Sequence, residues 1–205
     1  VYAVTSEGES VGKSTVIANM ALSFSQISKR TLLIDADMRC PVQYKLFGVE
    51  KNALGLSELL SGIEQDDKKV IRKTQYQNLD LVVCGRIPPN PTELILSDVF
   101  SYYLQKWTKE YDVIFLDFPP VGLVTDSIVI CRNITGYLFV VRSNSSDTRK
   151  VNETIAEMEK IGAKIVGIVL NAYNPKSTKR YGYERINGKY AKSGSYEKYY
   201  NKYFR

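Results

Sequence analysis

Residues 1–15 read VYAVTSEGESVGKST. The run Val1–Thr5 is apolar, and Lys13–Ser28 carries Val16, Met20 and Phe24 at helical spacing. A strand feeding a glycine-containing loop and then a helix is the context in which G-K-[ST] works as a phosphate-binding loop. The backbone N–H groups of Ser10, Val11, Gly12, Lys13, Ser14 and Thr15 are expected to converge on an anion, because a helix N-terminus has unsatisfied donors and a favourable dipole. Lys13 is expected to neutralise phosphate oxygens, and Ser14 to place its hydroxyl on Mg²⁺. The usual first glycine is replaced by Glu7, with Gly8 one place late. That change alters the strand exit and leaves the cradle in place.

The same grammar repeats downstream. Thr31–Asp35, Leu79–Gly85, Val113–Asp117, Tyr137–Arg142 and Lys164–Asn171 are continuous apolar runs. Such runs predict strands buried on both faces of a parallel sheet. Pro91–Tyr111 predicts a helix with proline at its start and Leu94, Ile95, Val99 and Tyr102 along it. Asp147–Ile161 predicts another, capped by Asp147, with Val151, Ile155, Met158 and Ile161 on one face. Alternating strands and helices imply a doubly wound, mostly parallel α/β sheet flanked by helices, of the P-loop NTPase type.

Two of the strand ends are acidic. LLIDADMR finishes with Asp35 and Asp37, and YDVIFLDFPP with Asp117. Ligands in open α/β sheets bind beyond the carboxyl ends of the strands. Carboxylates there, beside a phosphate loop, suit Mg²⁺, which takes oxygen ligands and keeps several waters.

Composition narrows the chemistry. The chain has 205 residues, a formal charge of +6 and no histidine, which removes every mechanism that needs an imidazole base. Cys40, Cys84 and Cys131 are far apart and form no C-x-x-C pair, so they predict reduced thiols and no zinc site. No apolar run is long enough to span a membrane, and the first residues are not expected to act as a signal peptide. Val1 already lies in an apolar run, which points to a fragment. The charge is uneven: residues 174–205 hold nine Lys/Arg against two Glu, a net +7, leaving about −1 for residues 1–173. Those last residues also hold seven of the 15 tyrosines, Tyr181, Tyr183, Tyr190, Tyr196, Tyr199, Tyr200 and Tyr203. The expected organisation is a P-loop domain over 1–173 and a flexible, basic, tyrosine-rich tail over 174–205. A basic tail with interleaved aromatics also fits a nucleic-acid arm. With a phosphate-transfer site on the same chain, the tail is read as phosphoacceptor and no nucleic acid is expected.

Four segments together carry a resemblance: TSEGESVGKST, LLIDADMRCP, VIFLDFPP and IPPNPTELILS, followed by the tyrosine cluster. In that order they resemble the cytoplasmic kinase domain of bacterial tyrosine autokinases, the BY-kinases of capsular and exopolysaccharide synthesis. The family also tends to carry glutamate where Glu7 stands. The chain departs from it at Gly8–Glu9–Ser10, where relatives tend to have Ala-Pro-Gly. The resemblance implies an ATP- and Mg²⁺-dependent tyrosine kinase that phosphorylates its own tail tyrosines.

By the same resemblance, Lys13 and Ser14 are phosphate and magnesium contacts, and Asp35, Asp37 and Asp117 are the catalytic carboxylates. Asp35 is expected to accept the tyrosine proton, with exchange against Asp37 left open. Asp37 and Asp117 are expected to hold Mg²⁺, and Asn171 to meet adenine. Implied partners are neighbouring kinase subunits in a ring, a membrane adaptor of polysaccharide export and a tyrosine phosphatase. The implied location is the inner face of the cell membrane, reached through that adaptor or a fused segment. The rival reading is an ATPase switch of the cell-division and plasmid-partition type. Those proteins carry an additional lysine near the start of the loop, where this chain has Gly8.

Overall fold

The computed structural model describes residues 1–124, 126 and 128–174. The seven tail tyrosines lie outside the described residues. Seven strands occur among the described residues: β1 (Tyr2–Thr5), β2 (Thr31–Asp35), β3 (Arg72–Lys73), β4 (Leu79–Val82), β5 (Val113–Asp117), β6 (Gly136–Arg142) and β7 (Ile165–Asn171). They form one sheet in the order β3-β4-β2-β5-β1-β6-β7, parallel throughout except for β3 against β4.

Among the described residues six α-helices flank it: α1 (Lys13–Gln26), α2 (Gln43–Leu46), α3 (Leu56–Leu60), α4 (Pro91–Leu96), α5 (Asp98–Trp107) and α6 (Thr148–Lys160). Successive side chains of a strand point to opposite faces. In β2, Leu32 and Ile34 enter one apolar layer and Leu33 the other. The layer under α1 contains Ile17, Ala21, Leu33 and Phe115. The opposite layer joins Leu32, Ile34 and Phe139 to Leu56, Phe100, Trp107, Val151 and Met158 from α3, α5 and α6. This is the doubly wound arrangement expected from the alternation of runs.

Register decides the rest. Asp35 of β2 stands opposite Asp117 of β5, and Val4 of β1 opposite the same Asp117. The loop leaving β1 therefore passes the ends that carry both acids.

Several expectations about elements are corrected. The long helix after Pro91 is two helices, because Ser97 takes an extended conformation (φ −66°, ψ 148°) and its hydroxyl caps the Phe100 N–H. The break resets the helical phase: Phe100, Tyr103, Leu104 and Trp107 face the core, while Val99 and Tyr102 are exposed. Strand β4 ends at Val82, before the turn at Gly85 (φ +88°). Burial on both faces fails at β7, where exposure alternates and Val166, Ile168 and Leu170 face outward, as on an edge strand with one open face. Ile161 is exposed at the end of α6 rather than part of its apolar face. The short β3, α2 and α3 were not anticipated.

Met158 of α6 has no solvent exposure and belongs to the apolar layer that includes Tyr137 and Phe139 of β6. Met158→Ala should cost about 2–4 kcal/mol and lower Tm by roughly 5–15 °C in thermal unfolding. A Tm within a degree of the parent would contradict this packing.

Candidate phosphate and carboxylate site

The loop between β1 and α1 closes as a phosphate cradle. Gly12 caps α1 with φ +93°, a left-handed conformation that glycine adopts without strain. Its carbonyl accepts the first helical bond, from Val16 N–H, at 3.0 Å. Ser10 is also left-handed, with φ +57°, although it has a side chain. A cavity of about 330 Å³ opens against this loop; its lining includes Ser10, Lys13, Ser14, Asp37, Arg39 and Pro119.

The three expected acids do converge, though at different depths. Asp37 lines the cavity, and its Oδ1 accepts the N–H groups of Arg39 and Cys40 at 3.2 and 2.9 Å. Asp35 and Asp117 lie beneath, without solvent exposure. Asp35 Oδ2 accepts the N–H groups of Val42 and Gln43 at 3.1 and 2.9 Å. Asp117 Oδ2 accepts the Gln43 amide Nε2 at 2.7 Å, and the Ser14 side chain lies near enough to favour the ionised carboxylate. Asp35 Oδ1 and Asp117 Oδ1 are buried with no hydrogen-bond partner.

Electrostatics follow from that burial. Desolvation, then the Asp117 charge, holds the Asp35 carboxyl well above the usual range. Burial pushes Asp117 up to about 6, against the bond from Gln43, the nearby Ser14 side chain and the charge of Lys13. Lys13 is lowered by burial and partly restored by Asp117, Asp37 and Glu9.

The donor set fits a phosphate with a hard cation. A buried ammonium and helix-terminal N–H groups suit the anion, and the unpartnered Asp117 Oδ1 with the cavity-lining Asp37 and Ser14 suits Mg²⁺. Among the described residues no three His, Cys, Asp or Glu side chains close round a metal by themselves. Mg²⁺ in nucleotide sites draws its remaining ligands from water and phosphate.

Three features escaped the sequence reading. Gln43 is wholly buried, and besides Asp117 its amide donates to Ser14 O at 3.1 Å. Its own Oε1 is unpartnered. It thereby ties the phosphate loop to both buried acids. Arg39 grips Asp126 through Nε and Nη2 at 2.7 and 3.1 Å and also donates to Thr92, closing one wall of the cavity. Arg142 donates to Ser10 O at 3.2 Å, beside Asn171, which the sequence reading assigns to adenine and whose Nδ2 donates to Val11 O at 2.8 Å.

The profile of the CobQ/CobB/MinD/ParA nucleotide binding domain matches residues 2–193. The chain is similar to the putative tyrosine-protein kinase CapB of Staphylococcus aureus, with 35% identity over 82% of this chain and 73% of CapB. It is similar to the tyrosine-protein kinase CpsD of Streptococcus agalactiae serotype III, with 36% identity over 89% of this chain and 78% of CpsD. Against the tyrosine-protein kinase wzc of Salmonella typhi, 34% identical, it spans 26% of that longer protein. The solved kinase domain of the Escherichia coli tyrosine kinase ETK superposes with a TM-score of 0.82 at 31% identity, covering 89% of this chain and 71% of that one. The septum-site protein MinD of Pyrococcus horikoshii, complexed with Mg-ADP, shares the fold with a TM-score of 0.70 at 22% identity, over 84% of this chain and 70% of that one.

Because burial raises Asp117 above its unfolded value, its ionisation opposes folding in the ligand-free protein. The contribution of this group to stability is complete below about pH 4 and is lost as pH rises through about 6. Asp117→Asn should therefore raise Tm at pH 7 by roughly 6–12 °C and flatten part of the decline between pH 4 and 6. A variant less stable at pH 7 with an unchanged slope would contradict the burial.

Proposed function

The chain belongs to the CobQ/CobB/MinD/ParA nucleotide-binding domain family and, within it, to the tyrosine-protein kinases exemplified by CapB and CpsD; on that premise we propose that it transfers the γ-phosphoryl group of Mg-ATP to tyrosines of its own C-terminal cluster. The observation that carries this reading is the meeting of Lys13, Ser14, Asp37 and the buried Asp35–Asp117 pair at one phosphate loop.

Phosphoryl transfer is mostly positioning and charge stabilisation. Lys13 and the loop N–H groups would hold the β- and γ-phosphates. Ser14, Asp37 and Asp117 would hold Mg²⁺, which when bound neutralises charge on the transferring group. The tyrosine oxygen bonds to the γ-phosphorus as the bond to the ADP oxygen breaks. Asp35 takes the phenolic proton: its Oδ2 is occupied by two N–H groups, its Oδ1 is unpartnered, and its raised pKa suits a base. Asn171 keeps one amide hydrogen and one lone pair for an adenine edge.

The acceptors we assign are Tyr181, Tyr183, Tyr190, Tyr196, Tyr199, Tyr200 and Tyr203, on a segment of charge +7. Each phosphotyrosine adds roughly −1.5 to −2 charges, so about four would neutralise that segment and weaken its attraction to an acidic site. The proposed setting is capsular or exopolysaccharide synthesis. The proposed partners are neighbouring subunits, a membrane adaptor of polysaccharide export and a tyrosine phosphatase, at the inner face of the membrane. Among the described residues no helix is long and apolar enough to cross a membrane, so attachment would come through the adaptor or a further segment.

Incubation with Mg-ATP should add phosphate in steps to the intact mass. Lys13→Met should lower this by at least about 10²-fold, and a variant with phenylalanine at all seven tail positions should remain unlabelled. Near-parental labelling of either would refute the assignment. Asp35→Asn should lower turnover at saturating Mg-ATP by about 10²-fold or more. Asp37→Asn should instead raise the Mg²⁺ concentration needed for half-maximal rate. The reverse pattern would exchange the two roles.

A further inference from the structure

The phosphate cradle is held from outside as well as from within. Arg142 and Asn171 are register partners at the ends of β6 and β7. Arg142 Nη1 donates to Ser10 O at 3.2 Å, and Asn171 Nδ2 donates to Val11 O at 2.8 Å. Two consecutive carbonyls of the loop are thus drawn toward the same strand ends. A trans peptide is planar, so its C=O and N–H point in opposite directions. Drawing the Ser10 carbonyl outward turns the Val11 N–H inward, and drawing the Val11 carbonyl outward turns the Gly12 N–H inward.

Both straps are themselves anchored. The Asn171 Oδ1 accepts the Ala172 N–H, the Arg142 N–H donates to Ser146 Oγ, and Ser143 N–H donates to Asn171 O. A Cβ on Gly12 would lie 2.1 Å from Asn171 Nδ2, so glycine there is what lets the amide reach the loop.

The two straps do not carry equal loads. Ser10 sits at φ +57°, where a residue with a Cβ is strained. Its relaxed alternative has negative φ and would rotate the following peptide, taking the Val11 N–H out of the cradle. Glycine at position 10 would have no such preference.

We propose that Arg142 and Asn171 are positioning residues that aim the Val11 and Gly12 amides at the nucleotide phosphates, and that Arg142 is required because position 10 holds a serine in left-handed conformation. The inference rests on the nucleotide-binding reading of the loop. It adds a dependence: Arg142 compensates for Ser10, whereas Asn171 acts independently of it.

The test is a thermodynamic cycle on the 205-residue chain, read as the affinity for a fluorescent N-methylanthraniloyl ADP in excess Mg²⁺. Arg142→Ala should weaken binding about three- to tenfold, the worth of one hydrogen bond to a constrained group. Arg142→Gln, which keeps a donor and loses the charge, should stay within about twofold of the parent. Ser10→Gly should bind at least as tightly as the parent, and adding Arg142→Ala to it should change affinity less than about twofold. Asn171→Ala should cost the same factor with serine or glycine at position 10. In turnover, Arg142→Ala should raise the KM for ATP by a larger factor than it lowers kcat.

An equal loss for Arg142→Ala in both backgrounds overturns the proposal. So does a loss for Arg142→Gln as large as for Arg142→Ala, which would make the effect one of charge. An Asn171→Ala loss that disappears with glycine at position 10 overturns the division of roles. If the parent chain and Lys13→Met are alike in failing to bind the probe, the nucleotide reading itself falls, which a parent that binds but shows additive variants would not imply.

Discussion

Two carboxylates without access to solvent, Asp35 and Asp117, face each other across adjacent parallel strands. Burying like charges is costly unless each is hydrogen-bonded or neutralised. Much of the local architecture can be understood as a partial answer to that cost. The chain turns after Met38 so that the Val42 and Gln43 amides meet Asp35, and the Gln43 side chain spans from Asp117 to the start of α1. One oxygen of each acid is nonetheless left without a partner. A fold optimised for stability alone would not retain them; the cation and proton roles proposed for the pair would give a reason to.

The strands were legible because parallel strands buried on both faces are continuous apolar runs, and five of the six expected runs end within two residues of where the strands do. The sixth, Leu79–Gly85, overran into a turn that glycine permits at Gly85. The break at Ser97 was not legible, since Leu94 to Tyr102 keeps a helical look and serine reads as an ordinary surface residue. What ended the helix was a cap that serine supplies only in extended conformation. Helices α2 and α3 have four and five residues, too few for a period to show.

For the site, residue types with their own signatures, such as the G-K-S of the loop and the aspartates at strand ends, could be picked out in isolation. Gln43 and Arg142 could not. Their significance lies in what stands opposite them, an acid 74 residues away for Gln43 and a loop carbonyl 132 residues away for Arg142. The comparison with MinD makes a related point. That fold is shared at 22% identity, yet fold alone does not assign chemistry. The position where the switch ATPases are expected to carry a lysine is Gly8 here, with open space around it.

The two margins of the sheet are built unlike one another. At one, β3 is two residues long, Arg72 and Lys73, antiparallel to its neighbour; short charged borders of this kind discourage further strands from adding. At the other, β7 is seven residues long and turns Val166, Ile168 and Leu170 to the outside. Among the described residues, then, the β3 margin carries the features that discourage a further strand and the β7 margin does not. A lysine placed at Ile168 would make the two borders chemically alike, at a position whose side chain is already mostly in water.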